Sequence, residues 1–259
     1  MSSGWHRYLL AIVLILVPAV PHAECRAASA KATVALIEMY TSEGCDSCPP
    51  ADRWLAGLKL GNAATPAVAL AFHVDYWDRL GWHDRFSNAS FTRRQYEQAS
   101  RRGDGFVYTP QVLLQGRDFE SWHGGDQSAA AIASINARPA RAAIELSAQT
   151  IERDAVIVDL HVQVPEARDR AYAVAAVALT QDGLASDVKA GENAGKRLTH
   201  EHVVRAFEPG LSVGPAGDFH QNVRFALPAD RGPLSIVAFA ENARTGEVLQ
   251  ALALPLCAP

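Results

Sequence analysis

Ile37-Glu38-Met39-Tyr40-Thr41-Ser42-Glu43-Gly44-Cys45-Asp46-Ser47-Cys48-Pro49-Pro50 is the stretch on which the reading of the fold turns. The apolar run Val34 to Ile37 that feeds it has the length and composition of a buried strand. A small polar turn follows, then a Cys-x-x-Cys pair, then two prolines that suit only the first turn of a helix. A strand, a turn and a dithiol at a helix start point to redox chemistry. Unpaired amides and the helix dipole favour a thiolate on Cys45, and Cys48 is close enough to resolve a mixed disulfide.

Outward from that stretch, residues 31–139 alternate strands with helices. Val34 to Tyr40 reads as the first strand and Pro50 to Leu60 as a helix with Trp54, Leu55 and Leu58 on one face. Ala67 to Val74 is apolar on both faces, as a central strand is. Asp75 to Arg102 is rich in aromatic and charged residues. Its second half has helical spacing closed by Gly103, with Arg93, Arg94, Arg101 and Arg102 expected on a solvated face. Thr109-Pro110 then interrupts two β-like runs, which a cis peptide at the start of an edge-like strand explains. Phe119 to Trp122 is the expected partner strand, and Asp126 caps an alanine-rich helix reaching Asn136.

From residue 140 to 259 the pattern changes to strands only. Val156, Val158, Leu160, Val162 and Val164 alternate with more polar neighbours. Similar runs recur at 142–148, 172–180, 203–207, 219–227, 234–241 and 247–254, with turn signals between them. The expected architecture is an α/β domain with a helical and aromatic insertion, followed by an all-β antiparallel sandwich-like domain. The glycine-bearing loop 190–196 is the least regular part of the β region and reads as an interface element.

A net charge of −4 offers no basic excess for nucleic acid. The apolar run Leu9 to Val20 behind His6 and Arg7 is too short to span a bilayer and suits an export signal. Removal of residues 1–23 keeps Cys25, whereas cleavage as late as residue 30 discards it. The expected location is periplasmic or secreted, with no stable membrane insertion after signal removal. Cys25, Cys45, Cys48 and Cys257 are the four cysteines. Keeping Cys25 permits a Cys25–Cys257 bridge beside Cys45–Cys48; otherwise Cys257 is a free thiol.

Strand, Cys-x-x-Cys, helix, strand and then Thr109-Pro110 before another strand resemble the thioredoxin fold. Residues 41–52, 72–78 (Phe-His-Val-Asp-Tyr-Trp-Asp), 107–111 (Val-Tyr-Thr-Pro-Gln) and 190–200 (Ala-Gly-Glu-Asn-Ala-Gly-Lys-Arg-Leu-Thr-His) more closely resemble the secreted bacterial domain of unknown function 1223 family. The resemblance covers nearly the whole chain beyond the signal and implies a thioredoxin-like first half. It implies Cys45 as nucleophile, Cys48 as resolving thiol and Thr109 offering its backbone to an extended substrate ahead of a cis Pro110. Glu38 lies near where thioredoxins keep a buried acid that moves the second thiol's proton, which makes it the proton-relay candidate. Trp77 and Trp82 are the substrate-binding candidates.

This chain has Gly44 where thioredoxins place Trp, and Asp46-Ser47 where they place Gly-Pro. The Asp46 charge opposes a thiolate on Cys45, which favours a reductant or slow exchanger over a strong oxidant. The reading is therefore thiol-disulfide exchange on a protein or small-molecule thiol or disulfide, with no cofactor beyond the dithiol. Two other classes stay open. One is a metal-binding module in which His73 and Asp75 join the cysteines to hold copper. The other is a non-catalytic interaction protein.

Overall fold

The computed structural model describes residues 24–58, 60, 66–151, 154–230 and 232–257. The expected export signal, residues 1–23, lies outside them. The chain opens with β1 (Glu24–Ala28) and β2 (Ala35–Thr41), then α1 (Pro49–Gly57) and β3 (Ala67–His73). A 3-10 turn at Asp78–Leu80 leads to α2 (Ala89–Arg102), β4 (Gln111–Leu114) and β5 (Arg117–Asp118). A second such turn at Glu120–His123 precedes α3 (Gly125–Asn136). Next come β6 (Ala143–Ile151), β7 (Ala155–Gln163), the single turn α4 (Ala167–Arg170), β8 (Ala173–Gln181), β9 (Leu184–Asp187) and β10 (Arg197–His200). The chain closes with β11 (Val203–Ser212), β12 (Asp218–Ala226), β13 (Leu234–Asn242) and β14 (Val248–Pro255).

Local chemistry accounts for the elements that shape the site. Cys48 stands at the N-terminal boundary of α1, and Pro49 and Pro50 occupy first-turn positions that need no amide hydrogen. Asn88 caps α2 by accepting from the Ser90 amide, and Gly103 closes it in the left-handed conformation. Phe91, Arg94, Gln95, Gln98 and Ala99 form the buried stripe of α2 at helical spacing. Arg94 therefore lies inside the molecule, not on the solvated face expected for it.

Two large sheets organise the molecule. The first runs β14-β13-β8-β11-β3-β2-β4-β5 and the second β1-β6-β7-β12, while β9 and β10 pair only with each other. In the first sheet, β2 and β3 are parallel from Ala35↔Ala67 to Thr41↔His73. The join to the later strands is narrow: Val203 of β11 lies opposite Ala71 of β3, and the Ala71 amide donates to the His202 carbonyl at 2.9 Å. Around that join the alternation of side chains sorts three cores. Ile37, Met39, Ala69 and Val112 pack under α1 and α3. Leu36, Tyr40, Leu70, Phe72, Ala178, Val237 and Phe239 share the opposite face with Phe91 of α2. Leu160, Val177, Leu179, Ile236 and Ala238 fill the space between the two sheets.

The architecture corrects the expected fold. The protein is mostly β, with large mixed sheets, and is not a thioredoxin-like α/β domain followed by a separate all-β sandwich. Four of the later strands extend the sheet begun by β2 and β3, and the remaining long ones pack across it. The reason is the free edge of β3. Its seven residues are all buried, and the start of β11 meets that edge at Val203 opposite Ala71, which joins the later strands to the sheet. Side chains also tie β2 and its approach to β14: Gln250 accepts from the Val34 amide at 2.8 Å, and Gln115 joins the Leu36 amide to the Val248 carbonyl. The strand expected at Phe119 to Trp122 is a 3-10 turn, and Arg117–Asp118 pairs with β4 in its place. Among the described residues no helix is long and apolar enough to cross a membrane.

Candidate functional site

Cys45 and Cys48 form a disulfide, and both residues are fully buried. The turn that carries them is tied to the helix start: the Cys48 amide donates to the Cys45 carbonyl, and the Cys48 carbonyl accepts from Ala51 and Asp52. Asp46 and Ser47, between the cysteines, are the exposed part of the turn. The Thr109-Pro110 peptide is cis. Ser47, Thr109 and Pro110 line one open groove of about 510 Å³, whose other walls are Phe106, Tyr108, Glu120, Trp122 and His123. Phe106 is 71% exposed, so its ring is available as an apolar wall of the groove.

Trp77 and Trp82 both come to the turn, but through its own supports. Trp77 Nε1 donates to Thr109 Oγ1 at 2.8 Å, and a Cβ on Gly44 would stand 3.3 Å from Trp77 Cβ. A tryptophan from another loop thus occupies the space where a larger residue before Cys45 would lie. Trp82 Nε1 donates to Glu43 Oε2 at 2.8 Å. The aromatic walls of the groove are Phe106, Tyr108 and Trp122, which the sequence reading did not single out.

Glu38 is not brought to the cysteines. It shares the face of β2 with Leu36 and Tyr40, opposite the face that carries α1. Its carboxylate accepts from Arg94 Nε at 2.7 Å and Nη2 at 3.0 Å, and from Tyr40 Oη at 3.1 Å. The buried acids behind the disulfide are instead Glu43, Asp52 and Asp84. Glu43 Oε1 lies 3.2 Å from His200 Nε2, and the Glu43 amide donates to Asp84 Oδ2 at 2.9 Å. His73 Nδ1 is 2.6 Å from the same Asp84 oxygen, and the rings of His73 and His200 meet edge to face at 4.9 Å. Thr41 Oγ1 donates to Asp52 Oδ1 at 3.0 Å, and Asp52 Oδ2 is 3.9 Å from His200 Nδ1.

Burial and partners divide these acids. Burial drives the Asp52 carboxyl above its ordinary range, and the nearby imidazoles only partly offset it. Burial acts the same way on Asp84, but the His73 charge, its hydrogen bond and the Glu43 and Phe86 amides bring it down to about 2. Burial disfavours a charge on His73, yet Asp84 beside it raises its pKa overall. Glu43 is held low, against burial, by hydrogen bonds including those from His200 and Trp82.

Asp75, expected to share a metal site with His73, is turned to Thr92, whose hydroxyl donates to Asp75 Oδ1 at 2.5 Å. Among the described residues no group of three or more His, Cys, Asp or Glu side chains is arranged to hold a metal ion. The second cysteine pair, Cys25 of β1 with Cys257, is also bonded, joining residues 232 positions apart.

The loop between β9 and β10 completes the site. Asn193, fully buried, donates its side-chain amide to the Glu43 carbonyl at 2.9 Å and the Cys45 carbonyl at 2.8 Å. Glu192 Oε2 accepts from the Asp46 amide at 3.1 Å. Glycines and an unusual composition marked this loop in the sequence, but nothing there named its partner as the dithiol turn.

Sheet and site together define a mostly β protein whose Cys-x-x-Cys disulfide is enclosed by residues from both halves of the chain. The chain belongs to the family described as Protein of unknown function (DUF1223), which it matches over residues 36–240. It is similar to the X-ray structure of protein AGR_C_4864 from Agrobacterium tumefaciens, at 25% identity and a TM-score of 0.55 over 87% of this chain and 96% of that one. It is also similar in fold to HBP35 of Porphyromonas gingivalis, at 12% identity and a TM-score of 0.57 over 87% of this chain and 76% of that one. No curated protein matches the sequence.

Proposed function

We propose that this protein is an exported thiol-disulfide exchange protein that acts through Cys45 and Cys48 on an extended polypeptide partner. The observation that carries the reading is the shared groove: Ser47, from within the Cys-x-x-Cys turn, lines it together with Thr109 and Pro110. An extended segment laid along Thr109 would bring its own sulfur to the disulfide, while an apolar side chain packs on Phe106, Tyr108 and Trp122. Two disulfides among the described residues suit an oxidising compartment outside the cytoplasm.

In the reducing direction the Cys45 thiolate attacks one sulfur of a partner disulfide. A bond from Cys45 to the partner forms, and the partner's other sulfur leaves as a thiolate. Deprotonated Cys48 then attacks Cys45 sulfur, closing the Cys45–Cys48 bond and releasing the second partner thiolate. Two electrons pass to the partner, and its two sulfurs take up the two protons that the cysteines release. Asp46 and Glu192 crowd negative charge onto the turn, which weakens the thiolate and stabilises the oxidised pair; this favours a reductant or a slow exchanger.

Trapping with Cys48→Ser in the native compartment tests the reading. Partners bound through Cys45 and released by reductant are expected, with fewer when Phe106→Ala is added. Recovery no greater than with Cys45→Ser/Cys48→Ser would remove the exchange function.

A further inference from the structure

Both sulfurs of the exchange pair belong to residues with no exposed surface, so neither is open to attack in this conformation. Exchange requires a near in-line approach of one sulfur to another, which a closed site forbids. The loop between β9 and β10 is bonded to the turn that carries both sulfurs. Asn193 uses all its hydrogen-bonding groups there: its amide holds the Glu43 and Cys45 carbonyls, and its Oδ1 accepts from Lys196 Nζ at 2.8 Å. Glu192 holds the Asp46 amide. Gly191, at φ +73°, lies so close to Trp82 that a Cβ would stand 3.2 Å from Trp82 Cβ.

The strands that carry this loop stand apart from the large sheets. β9 and β10 pair only with each other among the described strands, and are in neither large sheet. The loop between them is folded on itself, with Gly195 donating to the Val188 carbonyl, Lys196 to the Asn193 carbonyl and Val188 to the Lys196 carbonyl. Leu184 of β9 packs with Phe86 and Val203, and His200 of β10 packs on His73 and Phe86, so the strands are anchored. The loop between them, with its own internal bonds and held to the dithiol turn by side chains, is built to move as a unit.

We propose that the loop 188–196 between β9 and β10 is a gate on the Cys45–Cys48 disulfide and that Asn193 is its latch. The pair exchanges only when the two Asn193 bonds to the turn are broken. The gate concerns the same disulfide as the exchange function but needs no partner, so the two are tested separately.

The full-length protein is treated with a water-soluble phosphine, and the reduction of each disulfide is followed by alkylation and peptide mass analysis. Cys25–Cys257 serves as the internal reference. Asn193→Ala is expected to speed reduction of Cys45–Cys48 about tenfold or more relative to Cys25–Cys257, equivalent to about 1.4 kcal/mol of latch. Asn193→Asp, of the same shape but without the two donors, is expected to act in the same direction. An unchanged ratio between the two disulfides would overturn the gate. Should the variants not fold, hydrogen exchange of the wild-type protein decides. The Asp46, Gly195 and Lys196 amides are expected to exchange together and faster than those of β8, whereas exchange of Asp46 only with β8 would overturn it.

Discussion

Glu192 and Asp46 set the electrostatics of the Cys-x-x-Cys turn at the scale of single residues. The Glu192 carboxylate is 3.1 Å from the Asp46 amide, beside Cys45, although it is contributed from almost 150 positions further along the chain. Backbone amides at a helix start ordinarily favour a thiolate; a carboxylate seated on one of them works against it. Glu192→Gln keeps an oxygen for the Asp46 amide but removes the charge. The Cys45 pKa, titrated by thiolate absorbance in the reduced protein, is expected to fall by a few tenths up to about one unit, since the carboxylate is exposed and screened. A pKa that stays put or rises would show that Glu192 has no electrostatic hold on the thiol.

Among the elements, the ends of β2 and β3 meet the loop after them in a buried acid and imidazole cluster whose core is the His73–Asp84 pair. Asp52, Glu43 and His200 also face it. The His73 pKa is raised above its ordinary 6.5, so its share of stability is complete below about pH 6.5 and is lost as pH climbs through the folded value. The Asp84 pKa is lowered from 3.8 to about 2, so its share is complete above about pH 4 and is lost as pH falls toward 2. Both describe one pair, and its effect is greatest between those limits. The difference in thermal midpoint between wild type and His73→Gln should be largest in that window and shrink on either side; a difference independent of pH would dismiss the pair as the source. This cluster was only half legible in the sequence. Cys-x-x-Cys, its prolines and Thr109-Pro110 announce themselves because each residue type has few uses. His73 was noticed, but Asp84 sits in a loop with no periodicity, and its pairing depends on how that loop closes. Glu38 misled for a related reason: alternation along β2 shows that neighbouring residues face opposite ways, not which face receives α1.

At the scale of the whole molecule, the change from mixed to strand-only pattern near residue 140 was visible in the sequence, while the single sheet that crosses it was not. Strand patterns fix which faces are buried and leave edge partners open, so the union of β3 with β11 had no local signature. Arg94 ties the same two regions together from α2. It bonds Glu38 of β2 at 2.7 Å and Glu241 of β13 at 3.2 Å, and its guanidinium lies 5.1 Å from the ring centres of both Phe207 and Phe239. Burial opposes the Glu241 charge, but Arg94 and Arg101 hold its pKa below the ordinary value. Arg94→Met keeps much of the apolar stem while leaving two carboxylates in the interior with their main cation gone. The expected loss is about 3–5 kcal/mol in denaturant unfolding, because an uncompensated buried charge costs far more than an intact pair contributes. Adding Glu38→Gln and Glu241→Gln to that variant should recover most of the loss, since the desolvated charges are then absent. Tryptophan fluorescence, which reports the first half, and hydrogen exchange of the β7 and β12 amides, which reports the later strands, should shift together in both variants, as one sheet shared by the two halves requires. Two separated transitions, or a loss below about 1 kcal/mol, the scale of an exposed ion pair, would show that Arg94 does not bind the halves into one cooperative unit.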